Sequence, residues 1–126
     1  MRPRLLLEVN VAGESSKFGF SPEALHAEIE RLLEFDRLQI DGLMTIAPVA
    51  SDPENSRRYF ARLRELRDAL SAEFGAPLPE LSMGMSGDFG IAVEEGATLV
   101  RVGTAIFGKR HAREWRGEWA GDVFGD

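Results

Sequence analysis

The chain has 126 residues, of which 44% are hydrophobic, so it can form one globular unit with a core but not several domains. Its formal net charge of -6 argues against a nucleic-acid partner or an anionic membrane partner, because both are negatively charged. The lack of cysteine excludes disulfides and thiolate metal sites within these residues. The apolar run near the start is too short for a signal peptide or a membrane span. We therefore predict a cytoplasmic protein.

The first third of the chain predicts a strand, a loop and a helix. Residues 5–11 form an apolar run ending in polar Asn10, the pattern of a parallel strand whose carboxyl end lies at a functional site. A turn-starting role for Asn10 is an open alternative. Ser21, Pro22 and Glu23 combine an N-cap, a first-turn proline and an acidic residue, and apolar residues follow at helical spacing. We expect His26 in this helix to be a surface or partly packed residue, because no other metal-binding side chain accompanies it.

The middle of the chain repeats this order. Residues 38–46 predict a second strand, in which Gly42 indicates the close approach of a neighbouring group. Asp52, Pro53 and Glu54 then begin a long amphipathic helix, which Gly75 ends. The apolar stripe of this helix is Tyr59, Phe60, Leu63, Leu66, Leu70 and Phe74.

The last units are shorter. We predict a strand at residues 80–83, a helix at 88–95, a strand at 98–102 and a helical turn at 104–108. Four such units in succession indicate an α/β fold with a parallel sheet. One alternate set of strand residues should form an inner face that no layer covers; the candidates are Leu6, Val9, Leu43 and Val100.

Two predicted strand-to-helix turns have the composition of phosphate sites. The first is SMGMSGD at residues 82–88, and the second is Gly103-Thr104 after the last strand. Backbone N–H groups at such turns favour an anion, and glycines at 84, 87 and 103 let a ligand approach the backbone. Arg101, two residues before Gly103, could face the group that carries the phosphate. The alternative is that these glycines only permit tight turns and Arg101 extends into solvent.

The amino-acid sequences of these segments resemble those of one family. SMGMSGD followed by EEGATLVRVGTAIFG resembles the C-terminal signature of the YggS/PROSC family of pyridoxal phosphate homeostasis proteins, and LLLEVNVAGESSKFGF and QIDGLMTIAP resemble its preceding strands. The resemblance covers about residues 4 to 110. It implies the C-terminal half of a (β/α)8 TIM barrel of alanine racemase type, with four parallel strands alternating with helices, in agreement with a length about half that of a ~250-residue barrel.

The resemblance also implies a cofactor and its contacts. It assigns pyridoxal 5'-phosphate (PLP) to the site, with Ser86 on the phosphate, Arg101 facing the pyridine nitrogen, and the backbone at Gly103 and Thr104 holding the phosphate. The family's lysine-bearing first strand has no counterpart here, and neither Lys17 nor Lys109 is placed to form a Schiff base. We therefore expect non-covalent PLP binding, no catalytic residue and no metal.

The predicted organisation is a half-barrel with phosphate-binding turns over residues 1–110 and a flexible tail over 111–126. The favoured interpretation is a truncated, non-catalytic PLP-binding homeostasis protein that associates with itself or with a chain carrying the missing half-barrel. Two alternatives stay open. The chain could be half of a racemase-like PLP enzyme completed by a partner chain, or a structural half-barrel without activity.

Overall fold

The computed structural model describes residues 2–14, 18–48 and 51–101 of the chain. Three strands and three α-helices alternate within these residues. They are β1 (Arg4–Glu8), α1 (Pro22–Leu33), β2 (Gln39–Met44), α2 (Arg57–Phe74), β3 (Glu80–Ser82) and α3 (Phe89–Glu94), with a 3-10 turn (Pro53–Ser56) before α2. The predicted alternation of strands and helices is confirmed.

The strands form a parallel sheet in the order β1-β2-β3. Leu7, Leu43 and Leu81 share one row across it and point toward the helices. Leu43 and Leu81 are fully buried in the core, together with α2 residues Phe60 and Leu63. The helix side of the sheet is therefore the side on which the core of the described residues lies.

The helix ends follow the local chemistry expected from the sequence. The Ser21 hydroxyl accepts a hydrogen bond from the backbone N–H of Ala24 at 3.0 Å, which caps α1. Gly75 ends α2 in the left-handed conformation with φ of 69°, which glycine adopts without strain. His26 is exposed, hydrogen-bonded to Glu73 at 2.8 Å and close to the Phe74 ring, so its predicted surface role is confirmed.

Two predicted elements differ from the observed ones. The long helix does not begin at Pro53, because Asp52 caps the N–H of Glu54 in a separate 3-10 turn and the α-helix starts at Arg57. The strand predicted at 98–102 is reduced to a single bridge between Leu99 and Ser82. The Thr98 hydroxyl, rather than a strand carbonyl, accepts the hydrogen bond from the Leu81 N–H at 2.8 Å, so a regular ladder does not form there. Val102 and the helical turn predicted at 104–108 lie outside the described residues.

The predicted inner face was wrong for three of its four residues. Val9 and Leu43 are 1% and 0% exposed in the core, and Val100 packs against that core. Side chains alternate along a strand, so the row next to Leu7 and Leu43 faces the opposite side. That side carries Leu6, and Leu99 there is 47% exposed. The choice between the two alternate sets depends on strand register, which the apolar runs do not specify.

Gly42 sets how closely β2 and β3 approach. A Cβ atom built at Gly42 would lie 1.8 Å from the Glu80 carbonyl oxygen, a backbone atom that cannot move without disturbing β3. The expectation that a neighbour approaches this glycine is confirmed. Gly90 in α3 has no atom within 4 Å of the corresponding position, so it provides a matched comparison.

We predict that Gly42→Ala lowers the free energy of unfolding by about 3 kcal/mol or more, because the methyl group overlaps the β3 backbone. Gly90→Ala should raise it by about 0.5 to 1 kcal/mol through helix propensity. Urea denaturation followed by circular dichroism measures both values. Equal stability of the Gly42→Ala variant and the parent would contradict the close approach of the two strands.

Candidate functional site

Ser86 and Arg101, the two predicted site residues that the structure describes, lie beyond the carboxyl end of β3 and beyond the bridge at Leu99. In a parallel sheet the carboxyl ends of the strands meet at one edge, so the loops after β1, β2 and β3 are neighbours. Asn10 follows β1, Ser86 follows β3, and Arg101 follows the bridge at Leu99. This carboxyl edge is where a site assembled from several loops can form.

Asn10 organises the loop after β1. Its side-chain oxygen accepts hydrogen bonds from the N–H groups of Gly13 and Glu14 at 3.1 and 3.3 Å, and its amide nitrogen donates to the Glu14 carbonyl at 2.6 Å. Its backbone N–H donates to the Phe20 carbonyl at 2.8 Å and ties the far end of the loop to the strand. These contacts are those of a residue that shapes a turn, which was the alternative interpretation of Asn10.

Gly84 joins the end of β3 to the segment that ends at Arg101. Its φ is 103°, a region that favours glycine, and a Cβ atom there would lie 2.6 Å from the Ala92 Cβ in α3. The Gly84 carbonyl accepts a hydrogen bond from the Arg101 N–H at 3.0 Å. The backbone that leads to Ser86 and the backbone of Arg101 are therefore in direct contact.

The residues around Ser86 form a tight turn. The Asp88 carboxylate accepts a hydrogen bond from the Met85 N–H at 2.8 Å, and the Asp88 N–H donates to the Met85 carbonyl at 3.1 Å. Half-buried Ser86 and exposed Gly87 lie between these two residues. No atom lies within 4 Å of a Cβ built at Gly87, so the space there is open on the protein side.

Arg101 brings an exposed positive charge to the same edge. Arg101 is exposed, and no carboxylate within residues 2–14, 18–48 and 51–101 forms an ion pair with it. In a chain with 21 acidic and 15 basic residues, a cation without such a partner is available to an anionic or hydrogen-bond-accepting ligand.

The structure brings together only part of the predicted site. The backbones at Gly84 and Arg101 meet, and the Ser86 turn follows directly from Gly84. Gly103 and Thr104 lie outside the described residues, as do Lys17, Lys109 and the predicted tail at 111–126. Their assigned roles stay predictions. Within the described part of the chain, no group of three or more His, Asp or Glu side chains is placed to hold a metal ion.

An ion-pair cluster behind the site was not predicted. Arg57 of α2 contacts Glu54 at 2.9 Å, Glu94 at 2.7 Å and Glu95 at 2.9 Å. Arg64, two turns further along the same helix face, donates to the Glu95 carboxylate at 2.5 Å and to the Glu95 carbonyl at 3.1 Å. The seven-residue spacing of the two arginines was visible in the sequence, but Glu94 and Glu95 lie more than 30 residues along the chain from the arginines that contact them.

Glu95 is the acidic residue at the centre of this cluster. Its side chain is only 15% exposed and receives one guanidinium on each carboxylate oxygen. Hydrogen bonds from Arg57 and then Arg64 lower the pKa of Glu95 below its ordinary value of 4.5, and Arg57 likewise lowers the pKa of Glu54. The same hydrogen bonds, from Glu54 first, raise the pKa of Arg57. Arg57, Glu54 and Glu95 are therefore charged at neutral pH.

Comparisons with known proteins identify the family to which the chain belongs. The family model for the N-terminal domain of alanine racemase matches residues 2–111. The chain belongs to this family. It is 54% identical over 106 residues to the pyridoxal phosphate homeostasis protein of Aquifex aeolicus, covering 84% of this chain and 46% of that protein. It is 47% identical over 104 residues to the protein of the same name from Pseudomonas aeruginosa, covering 82% and 44%.

Solved structures show the same fold. PipY of Synechococcus elongatus PCC7942 without PLP superposes with a TM-score of 0.78 at 41% identity, over 85% of this chain and 50% of that one. PipY with PLP bound gives 0.76 at 39% identity, over the same shares. The alanine racemase of Corynebacterium glutamicum, at 19% identity and a TM-score of 0.67 over 90% of this chain and 32% of that one, shows likeness of fold alone.

These matches confirm the predicted resemblance to the YggS/PROSC family. They also show that the chain spans about half the length of the curated relatives it matches. Over the described residues, none of the helices combines the length and the apolar character needed to cross a membrane.

The ion-pair cluster predicts how stability responds to acid. A carboxylate whose pKa is lower in the folded state contributes stability that is complete above its unfolded pKa and is lost as the pH falls through the folded value. The pKa of Glu95 is lowered from 4.5, so its contribution should be complete above about pH 4.5 and should decline as the pH falls further. Glu95→Gln removes that ionisation.

We therefore expect the difference in urea midpoint between the parent and Glu95→Gln to be constant from pH 7 to about pH 5 and to shrink toward about pH 3. The matched control is Glu65→Gln. The Glu65 side chain is 70% exposed and lies as far as 4.0 Å from Arg64, so the urea midpoint of this variant should equal that of the parent at every pH. A difference for Glu95→Gln that is independent of pH would show that the charge of Glu95 does not stabilise the fold.

Proposed function

We propose that this chain binds pyridoxal 5'-phosphate non-covalently and has a homeostatic rather than a catalytic role. The observation that supports the proposal is the hydrogen bond from the Arg101 N–H to the Gly84 carbonyl, because it joins the backbone of an exposed arginine to the backbone that leads into the Ser86 turn. A phosphate and a pyridine ring on one small molecule need two such groups a few ångströms apart. The relatives named for pyridoxal phosphate homeostasis and PipY with PLP bound support the choice of ligand.

Four residues carry the proposed contacts. Ser86 and the backbone at Gly103 and Thr104 bind the phosphate, and Arg101 donates toward the pyridine nitrogen. The 126 residues contain two lysines, Lys17 in a segment predicted to be a loop and Lys109 after the Gly103-Thr104 turn, and neither sequence position is one expected for a Schiff-base lysine. Binding without a Schiff base is therefore part of the proposal. When bound, PLP would supply an electrophilic aldehyde, and the residues proposed here bind and orient the cofactor without acting on it.

The matched half is proposed to be the C-terminal half of a (β/α)8 barrel. Support comes from the order of the motifs. Two segments resemble the family's C-terminal signature, SMGMSGD and EEGATLVRVGTAIFG, and both come after β1 and β2 in the sequence. Support also comes from the uncovered side of the sheet, where Leu6 and exposed Leu99 line an open groove of about 300 Å³ with Arg4, Asp41 and Glu80. Parallel sheets are usually covered on both faces.

The racemase-like alternative has no observation of its own in its favour. The racemase likeness is one of fold, and Tyr59, the chain's single tyrosine, lies on α2 with its hydroxyl accepting a hydrogen bond from Arg58 at 3.0 Å. If the equilibrium dialysis described below showed no PLP binding, that result would favour a structural role without a ligand.

We expect PLP to bind the chain reversibly, and we expect Arg101→Ala to weaken binding about tenfold, the effect of losing one hydrogen bond from a charged group. Gly103→Val should abolish binding by filling the space of the phosphate oxygens. Equilibrium dialysis with detection of PLP absorbance measures these affinities. Arg37→Ala is the control, because Arg37 is an exposed arginine near the amino end of β2.

Treatment of the complex with borohydride separates the two modes of binding. Non-covalent binding leaves the protein mass unchanged after reduction. A fixed mass adduct on Lys17 or Lys109 would overturn the non-covalent part of the proposal. Equal PLP affinities of the parent, Arg101→Ala and Gly103→Val would remove both residues from the site.

Self-association is the second proposed property, and it follows from the uncovered sheet face. We expect sedimentation at micromolar concentration to show dimers or larger species that bury this face, either with a second copy or with a chain carrying the missing half. Leu99→Lys should shift the equilibrium toward monomer. Phe35→Lys is a matched control, because Phe35 is also 47% exposed but lies just after α1. A compact monomer that melts cooperatively would refute this proposal.

A further inference from the structure

We infer that Glu95 is a positioning residue for PLP binding, acting through helix α3 on both Ser86 and Arg101. This inference rests on the proposed function. Glu95 is the residue at which α3 ends, and it is held by two arginines of α2 through both its carboxylate oxygens and its carbonyl.

The position of α3 depends on these polar contacts because the helix itself is weakly anchored. It has six residues, too few for a stable isolated helix, and Ala92 is its one buried residue. Phe89 and Val93 are 38% and 55% exposed, and Ile91 is only partly buried against the core, so the apolar burial of this helix is limited. The Asp88 side chain does not cap the helix either, because it bonds to Met85 in the preceding turn.

A shift of α3 would reach the Ser86 turn directly. Ala92 lies against Gly84 so closely that no side chain fits between them. The turn from Met85 to Asp88 joins Gly84 to the first residue of α3, so both of its ends move with the helix. The geometry of Ser86 therefore follows that of α3.

A shift of α3 would also reach Arg101. After Glu95 the chain turns at Gly96, whose φ is 106°, and the Ala97 N–H bonds back to the Ala92 carbonyl at 2.9 Å. The Arg64 side chain packs 3.5 Å from where a Gly96 Cβ would lie, so the same arginine supports the turn. Arg101 follows five residues later and bonds to Gly84. Glu95 thus lies between the two arms of the proposed site and is held there by α2.

The test compares Glu95→Ala and the milder Glu95→Gln with Glu65→Ala in the 126-residue chain. Glu65 is also acidic and near Arg64, but at 4.0 Å it makes only a marginal contact and lies on α2 itself. PLP affinity is measured at a temperature at which circular dichroism shows every variant fully folded. We expect about a tenfold loss for Glu95→Ala, in line with residues that orient a binding group, a smaller loss for Glu95→Gln, and no loss for Glu65→Ala.

Partial rescue by glutamine distinguishes positioning from general support, because glutamine keeps a hydrogen-bonding oxygen for one arginine while removing the charge. A purely structural Glu95 would lower the melting temperature and leave the affinity of the folded protein unchanged, which would overturn the inference. A parent chain that does not bind PLP would refute the proposed function instead. Nuclear magnetic resonance without PLP then decides the positioning itself: the Ser86 and Arg101 amide signals must shift in Glu95→Ala and not in Glu65→Ala, and unchanged signals contradict it.

Discussion

The contact between Gly84 and Ala92 is the constraint on which the candidate site depends. Gly84 follows the last strand residue by two positions, has a positive φ and leaves no room for a side chain beneath α3. Its carbonyl also receives the Arg101 N–H. One small residue therefore fixes the end of a strand, the approach of a helix and the return of the chain, and any larger residue would separate the two sides of the site.

The arginines of α2 complete this arrangement from behind. A short helix with one buried alanine has little hydrophobic anchoring, so charged hydrogen bonds to Arg57 and Arg64 provide contacts that a longer helix would not need. Exposed ion pairs contribute little to stability, but Glu95 is shielded from water and binds two partners at once. We therefore expect this cluster to contribute to the stability of the fold as well as to the geometry of α3.

Local chemistry explains which parts of the fold the sequence could predict. The Ser21 cap, the Gly75 stop and the alternating apolar runs act within a few residues, and the helices and parallel strands they predicted are observed. Register is a property of two strands together, so the assignment of Val9 and Leu43 to an uncovered face was wrong. The last predicted strand is observed only as a bridge at Leu99, because the Thr98 hydroxyl replaces one backbone carbonyl as the acceptor for the Leu81 N–H.

The candidate site was predictable only where a sequence motif or a glycine-rich turn indicated it. Gly84 and Arg101 come from a recognisable motif, and their contact across the sheet edge is observed. Gly87 was expected to allow a ligand to approach the backbone; the space beside it is open on the protein side, and its role stays a prediction. Glu95 was missed because its partners, Arg57 and Arg64, are separated from it by 38 and 31 residues, and a charge on a short helix gives no indication of a distant partner.

The most direct test of the central claim is to map PLP binding on backbone amide signals by nuclear magnetic resonance. The account predicts saturable shifts at Met85, Ser86 and Arg101 at the carboxyl edge, with Asp41 at the opposite edge, where it pairs with Arg4, left unchanged. Shifts confined to the residues around Asp41, or changes that grow without saturation, would contradict a PLP site built by Gly84 and Arg101.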